Sequence, residues 1–318
     1  MNYMTTELIR IGNGFCKSMN DEESKDYLLS INKLWNVKSD IFPGPQPISI
    51  ERKHMKYLKT NEYVILDKSD GVRYALTCLK HNERNICALI DRSLNVKLIR
   101  LNTPKPCYDG MILDCELVKE NNNYILLVFD CVVMCGTDVH EYNFTKRMEF
   151  AQTFTDYYKF SDNDPFIVRR KDYESYPKNV RKFVNNVNNL EYLTDGYIFM
   201  PQNQPVMLGT SNLIYKWKNY KNNTVDFGIN KNKDLFLQKS GELVKTRNSF
   251  VIEAEKKSEL DSELEKQEYL IIECENATDE KTWKYIQIRK DKTIPNAVHV
   301  FRRTLNNIRE NITLTEFF

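Results

Sequence analysis

The apolar run Tyr63-Val64-Ile65-Leu66 leads into Asp67-Lys68-Ser69-Asp70-Gly71-Val72-Arg73. Attack of an amine on a phosphoanhydride needs the parts found there. The amine must become a nucleophile, a carboxylate must orient or deprotonate it, and a cation must hold the phosphate. Lys68, Asp70 and Arg73 are of those types, Ser69 adds a hydroxyl, and Gly71 lets the backbone turn and a substrate come close. Taken alone, K-x-D-G-x-R also describes a hairpin turn with a solvated lysine. The motifs that follow favour the chemical reading.

Five more short motifs come in order. Asp114-Cys115-Glu116 lies in a strand-like run, so its two carboxylates share a face. Phe129-Asp130 ends an apolar run, where an exposed ring could stack on a base. Asp195-Gly196 opens another strand. Lys216-Trp217-Lys218 puts two lysines on one face of a strand, with Asp226 shortly beyond. Last comes Arg289-Lys290-Asp291-Lys292, an R-x-D-K pattern ahead of Pro295-Asn296.

The elements that must position these groups are legible from periodicity. Residues 21–35 read as an amphipathic helix behind an acidic first turn. Pro43-Gly44-Pro45 breaks the chain, and residues 50–59 form a short helix before the lysine strand. Strands are expected at 74–79, 86–90, 96–99, 111–118 and 124–134, helices at 143–160 and 176–187, and strands at 196–200 and 213–217. That is a mixed α/β domain ending near residue 220, with 219–224 as a polar linker. Five short strands follow, at 225–229, 235–237, 250–253, 269–273 and 285–288, which suits a small β-barrel of the OB type. Residues 295–310 read as a helix whose apolar face, with Val298, Phe301, Leu305 and Ile308, is expected to pack back on the first domain. The acidic run 259–268 reads as a solvated helix.

Composition sets limits. The 318 residues suggest about two domains. A mean hydropathy of -0.56 points to a soluble protein. Net charge is only +2, so a polyanion site must be a local groove, not a basic coat. No apolar stretch has the length of a membrane span, and residues 1–18 lack a signal-peptide core, so an intracellular, soluble location is expected. The eight cysteines include no C-x-x-C pair and several lie in apolar runs, which suggests buried free thiols in a reducing compartment.

The six motifs, in this order, resemble those of the covalent nucleotidyltransferase superfamily, which holds mRNA capping guanylyltransferases, ATP-dependent DNA ligases and RNA ligases. The ending Arg289-x-Asp291-Lys292-x-x-Pro295-Asn296 is similar to the capping branch, and the likeness runs from about Phe42 to the C-terminus. Within that branch, residues 43–53, 129–133, 283–287 and 306–313 resemble a small viral member most. Two departures stand out. The family's D-G-E motif appears as Asp114-Cys115-Glu116, and Ser69 replaces a threonine while keeping the hydroxyl.

The resemblance implies an α+β fold: a nucleotidyltransferase domain (adenylation-type, ATP-grasp-like) of antiparallel sheets and helices over 1–224, an OB-fold barrel over 225–296, and a C-terminal helix over 297–318 returning to the first domain. It implies that Lys68 attacks the α-phosphate of GTP, forms a lysyl–GMP phosphoramidate and expels pyrophosphate. The diphosphate 5′ end of RNA then takes GMP to form the GpppN cap. Mg2+ or Mn2+ offsets phosphate charge. A free lysine has a pKa of about 10.4, and the cations Arg73, Lys216 and Lys218 are expected to depress it.

By the same resemblance, Arg73 and Glu116 contact the ribose, Phe129 stacks on guanine, and Ser69 and Lys171 are candidates for reading the guanine O6 edge. Arg92, Lys216 and Lys218 hold phosphates, with Gly71 and Gly196 close to the nucleotide. Asp195 and Asp226 act near the metal or the lysine. Arg289, Asp291 and Lys292 belong to a mobile barrel that closes over the β- and γ-phosphates.

Two rivals remain. An ATP-dependent polynucleotide ligase shares the covalent step, and the ending at 283–296 argues against it. A silent binding module has no reason to keep Lys68, Glu116, Asp195, Lys216, Lys218 and Arg289 together. No C-x5-R phosphatase loop is present, so a separate RNA triphosphatase and a separate cap methyltransferase are expected as partners.

Overall fold

Strand-forming residues dominate the first two thirds of the chain, and the computed structural model describes residues 8–38, 40–219, 222–277, 280–290 and 292–318. Two units separate by contacts. One comprises Met1–Ile48, Lys56–Lys216 and Phe318, the other Ser49–Met55 and Trp217–Phe317. The break therefore falls at Trp217, not at residue 224.

In chain order the first unit carries β1 (Leu8–Ile11), β2 (Gly14–Ser18), α1 (Asp21–Leu34), β3 (Pro45–Ser49), α2 (Met55–Thr60), β4 (Tyr63–Ser69), β5 (Val72–His81), β6 (Arg84–Ile90) and β7 (Val96–Leu98). It continues through β8 (Met111–Glu120), β9 (Asn123–Met134), β10 (Thr137–Asp138), α3 (Phe144–Tyr157), β11 (Ile167–Arg170), β12 (Glu174–Tyr176), α4 (Val180–Val187), β13 (Thr194–Pro201) and β14 (Gly209–Lys218). The larger sheet runs β1-β2-β7-β6-β5-β8-β9-β10, with β11 parallel to β9, and the smaller runs β12-β4-β13-β14-β3.

The larger sheet is apolar on both faces, which is why its central strands read as nearly continuous hydrophobic runs. Leu76, Leu113, Leu117 and Leu126 pack with Val64 and Leu66 of β4 and with Phe144, Met148 and Phe154 of α3. Ala75, Ile112 and Val132, pointing the other way, meet Tyr27 and Ile31 of α1. That helix starts where expected because the Asn20 side chain accepts from the Glu23 N–H at 2.9 Å and three acids complement its first turn. The helix expected at 176–187 begins only at Val180, since Pro177 holds the preceding Tyr176 extended in β12.

The second unit holds β15 (Thr224–Asn230), β16 (Leu235–Lys239), β17 (Glu242–Lys245), β18 (Ser249–Val251), α5 (Ala254–Lys266), β19 (Tyr269–Asn276), β20 (Thr282–Ile288) and α6 (Val298–Glu310). Its sheet runs β17-β16-β15-β19-β20-β18 around one apolar core, consistent with an OB-type barrel. The sixth strand, β17, has all four residues exposed and so gave no apolar alternation to read. The acidic run is a helix as expected, anchored by Leu260 and Leu264.

The terminal helix corrects one expectation. Val298, Phe301, Leu305 and Ile308 of α6 pack against the barrel's own core, with the Phe301 ring 5.7 Å from Phe227 and 5.6 Å from Trp283. The face that the sequence assigned to the first domain is covered within the second unit. Ser49–Met55 belongs there for a polar reason: Arg52 donates to the Glu310 carbonyl at 2.9 Å and pairs with Glu316 at 2.7 Å. No helix of the described residues is long and apolar enough to cross a membrane.

Candidate active site

Residues 63–67 of β4 are buried, and Lys68 is the first to emerge. Its Nζ donates to Asp195 Oδ1 at 2.6 Å. The pairing of β13 with β4 explains that contact. Thr194 stands opposite Ser69 and Tyr197 opposite Asp67, so Asp195 and Gly196 together face Lys68 in a bulge that re-aims the carboxylate. Asp195 is thus the carboxylate on the lysine. Asp70, given that part by the sequence, is exposed in the turn, where its backbone N–H donates to the Leu193 carbonyl at 2.8 Å. Gly71 follows because a Cβ there would run into the Leu117 carbonyl of β8.

Asp67 and Ser69 share a face of β4, and both meet Lys171. Lys171 Nζ donates to Ser69 Oγ at 2.7 Å and lies 3.1 Å from Asp67 Oδ2, while the Tyr192 hydroxyl donates to Asp67 Oδ1 at 3.3 Å. All four side chains are buried. Lys171 is carried there because its own N–H donates to the Val128 carbonyl at 2.7 Å, extending the β11–β9 ladder by one residue. Burial lowers the Lys171 pKa, and the carboxylates of Asp67 and Glu116 oppose that.

Arg73 and Glu116 are register partners on β5 and β8. The Arg73 fork takes both oxygens of Asp114, Nε at 2.8 Å, and Nη1 donates to the Pro45 carbonyl at 2.7 Å. Its guanidinium also lies over the rings of Phe42 and Phe129, 5.0 Å and 5.4 Å away. The sequence placed Arg73 at the ribose. The structure makes it a buried tie between Asp114 and the Pro45 turn. Gly44 belongs to the same packing, since a Cβ there would lie 2.5 Å from Asp114 Oδ2 and 2.8 Å from Arg73 Nη2.

Burial pushes the Glu116 carboxyl up, while Lys171, Arg92, Arg73 and Lys68 pull it down, so four cations converge on one carboxylate. Arg92 is held in its turn by Asp91, whose Oδ1 accepts from the N–H groups of Ser93 and Asn95 at 3.0 Å each. Phe129 is the extra residue of a second bulge. Asp114 pairs with Asp130 and Cys115 with Val128, so Phe129 is skipped, and its half-buried ring is free of the ladder.

Asp130 anchors that bulge. Arg147 of α3 grips it with Nε at 2.7 Å and Nη2 at 3.0 Å, and Nη1 donates to the carbonyls of Tyr142 and Gln204. Both residues are only 1% exposed, so removing one strands the other's charge. Arg147→Met should cost about 3–5 kcal/mol, lowering the thermal midpoint by roughly 10 °C. Adding Asp130→Leu should restore most of that loss. Thermal denaturation of the single and double variants checks both, and an unaffected single variant would refute the anchor.

Lys216 and Lys218 alternate onto one face of β14, as expected. In the second unit, Asp226 accepts from Arg289 Nη1 at 3.0 Å and from Lys292, and its backbone N–H donates to Asn296 Oδ1 at 3.0 Å. Asp226, expected near a metal or the lysine, is instead the counterion of the basic ending. Asp291 lies outside the described residues.

Among the described residues no three His, Cys, Asp or Glu side chains come together as a preformed metal cage. A Mg2+ or Mn2+ ion that takes one or two carboxylates and the substrate's phosphates needs no cage. Asp195, half-buried beside Lys68, fits that donor set; Asp226, committed to two cations, does not. All eight cysteines are free, and only Cys135 is exposed.

The sequence missed Asp67 and Tyr192. Asp67 had a signal, a carboxylate closing an apolar run, but Tyr192 had none beyond its type.

Known proteins are similar to this chain in sequence. The family described as mRNA capping enzyme, catalytic domain, matches residues 14–220, and the mRNA capping enzyme, C-terminal domain, matches 206–318. An mRNA-capping enzyme subunit alpha of Yarrowia lipolytica is 27% identical over 86% of this chain and 80% of that protein. One from Schizosaccharomyces pombe is 27% identical over 89% and 80%. The mRNA-capping enzyme of Danio rerio is 27% identical over 86% of this chain and 48% of that protein. These relatives are cellular and do not bear on the likeness to a viral member. A mycobacterial DNA ligase D complexed with ATP and MES covers 80% of this chain and 96% of its own at TM-score 0.44 and 13% identity, too loose a likeness to carry weight.

Proposed function

The chain belongs to the mRNA capping enzyme family, and we propose that Lys68 is its nucleophile, Asp195 the proton acceptor, and Ser69 with Lys171 the reader of the base. The protein is an mRNA guanylyltransferase, which transfers GMP from GTP through a lysyl–GMP intermediate to the 5′-diphosphate end of RNA. The observation that carries the residue assignment is the 2.6 Å contact between Lys68 Nζ and Asp195 Oδ1 at the β13 bulge.

In the first half-reaction Nζ bonds to the α-phosphorus of GTP and the bond to the β-phosphate oxygen breaks. Pyrophosphate leaves, and the proton shed by Nζ passes to Asp195. In the second, an oxygen of the RNA diphosphate attacks the same phosphorus, the P–N bond breaks, and Asp195 returns the proton to the departing amine. Glu116 meets the ribose, Phe129 stacks on the base, and Arg92, Lys216 and Lys218 hold phosphate. Asp195 would be the protein carboxylate nearest a divalent ion carried on the phosphates, and such an ion would supply neutralisation of phosphate charge.

RNA with a 5′ diphosphate is the acceptor, so an RNA triphosphatase activity must precede this step and cap methylation follow it. The fungal relatives carry the name of a subunit, which agrees with such division of labour.

Incubation with α-labelled GTP and Mg2+ or Mn2+, followed by denaturing electrophoresis, should leave label on the chain. GTP should be preferred over ATP by about 10- to 100-fold or more, because an adenine leaves the buried donors of the site unpaired at about 1–3 kcal/mol each. Equal labelling by both nucleotides would favour the ligase reading.

A further inference from the structure

We infer that Asp67 is the positioning residue that sets base specificity, by holding Lys171 as an ammonium and so leaving the base-reading pair only donors to offer. The inference rests on the assignment of Lys171 and Ser69 to the base edge, and it concerns a residue that touches no substrate.

The polarity follows from what each group can do. An ammonium has three donors and no acceptor, and a carboxylate has acceptors only. Lys171 is ion-paired with Asp67 Oδ2 at 3.1 Å and donates to Ser69 Oγ at 2.7 Å. With Oγ already accepting, the Ser69 hydroxyl hydrogen is turned away from Lys171 and becomes a donor. The third Lys171 N–H is a donor as well. A carbonyl at the 6-position of a purine satisfies such a pair; an amino group there meets donors with a donor. A neutral Lys171 amine would carry a lone pair able to accept from an amino group, and the discrimination would be lost.

Keeping that ammonium charged is costly where it lies, because Lys171 is 4% exposed. The charged or titratable groups that face it are Asp67 and Lys68 from β4 and Glu116 from β8, with the Tyr192 hydroxyl on Asp67. Lys68 disfavours the ammonium, and Asp67 is the carboxylate in direct contact. Burial already lowers the Lys171 pKa with Asp67 in place, so removing the Asp67 charge lowers it further. Tyr192 adds a donor to the other Asp67 oxygen and fixes the carboxylate's place beside Lys171.

The test compares enzyme–GMP formation from GTP with adduct formation from 2-aminoadenosine triphosphate, which differs at the 6-edge, between about pH 6 and pH 10. Ionisation of Lys68 affects both nucleotides alike and cancels in the ratio. In Asp67→Asn the preference for GTP should fall about tenfold or more at neutral pH and recover as the medium is acidified. The change should appear mostly in KM for GTP. Asp67→Glu, which restores the charge, should retain more of the preference than Asp67→Asn. Lys171→Met should lose the preference at every pH.

Loss in Lys171→Met with a wild-type ratio in Asp67→Asn at all pH values would overturn the inference and leave the base-reading assignment standing. An unchanged ratio in Lys171→Met would overturn both. Should Asp67→Asn not fold, the wild-type protein carries the test: its preference must decline as pH rises toward the ordinary lysine range, and a flat ratio overturns the inference.

Discussion

Lys68→Arg should yield a folded protein that takes no label from α-labelled GTP, a loss of about four orders of magnitude or more. Arginine is protonated at any working pH and cannot supply a lone pair to phosphorus. It can still meet Asp195, so the pairing of β4 with β13 is preserved and loss of fold is not the cause. Lys68→Ala should be equally silent, although it leaves Asp195 without that partner. The measurement is denaturing electrophoresis after incubation with nucleotide and divalent ion, beside a circular dichroism spectrum of each variant. A normal adduct in either variant would remove Lys68 as nucleophile and with it the assignment of the site.

The lysine strand was legible because its chemistry is local. Four buried apolar residues, the lysine and a glycine turn lie within a dozen positions, and their order is their geometry. The same holds for α1, whose cap and acidic first turn precede its apolar stripe, and for α5, whose two leucines are spaced one turn apart. What stayed hidden depends on pairing between distant segments. Nothing near Asp195 announces that a bulge will aim it at Lys68, and Asp70 was the nearer carboxylate in sequence but not in space. Lys171 and Asp67 are brought together by a one-residue continuation of the β11–β9 ladder. Arg73 reads as a phosphate or ribose cation from its motif, and only the register of β5 on β8 shows Asp114 claiming it. The apolar face of α6 was plain, but periodicity says that a face is buried and never says against what.

The basic ending of the second unit gives the last and most discriminating expectation. Arg289 and Lys292 converge on the single carboxylate of Asp226, with Asn296 Nδ2 donating to the oxygen that Lys292 holds. Both cations are held by that one carboxylate, and a phosphate tail would compete with Asp226 for them. If that tail is the leaving pyrophosphate, Arg289→Ala or Lys292→Ala should slow formation of enzyme–GMP by about 10²–10³-fold. GMP already on Lys68 has no β- or γ-phosphate, so its transfer to diphosphate-ended RNA should suffer by less than about tenfold. Microscopic reversibility supplies an internal control. Label on preformed enzyme–GMP should resist removal by added pyrophosphate to the same degree that its formation is slowed, while removal by RNA proceeds. The variants can be loaded by long incubation at high GTP, freed of nucleotide by gel filtration, and split between the two acceptors. Equal impairment with pyrophosphate and with RNA would mean that the cluster serves general nucleotide or RNA binding, and its assignment to the leaving group would be lost.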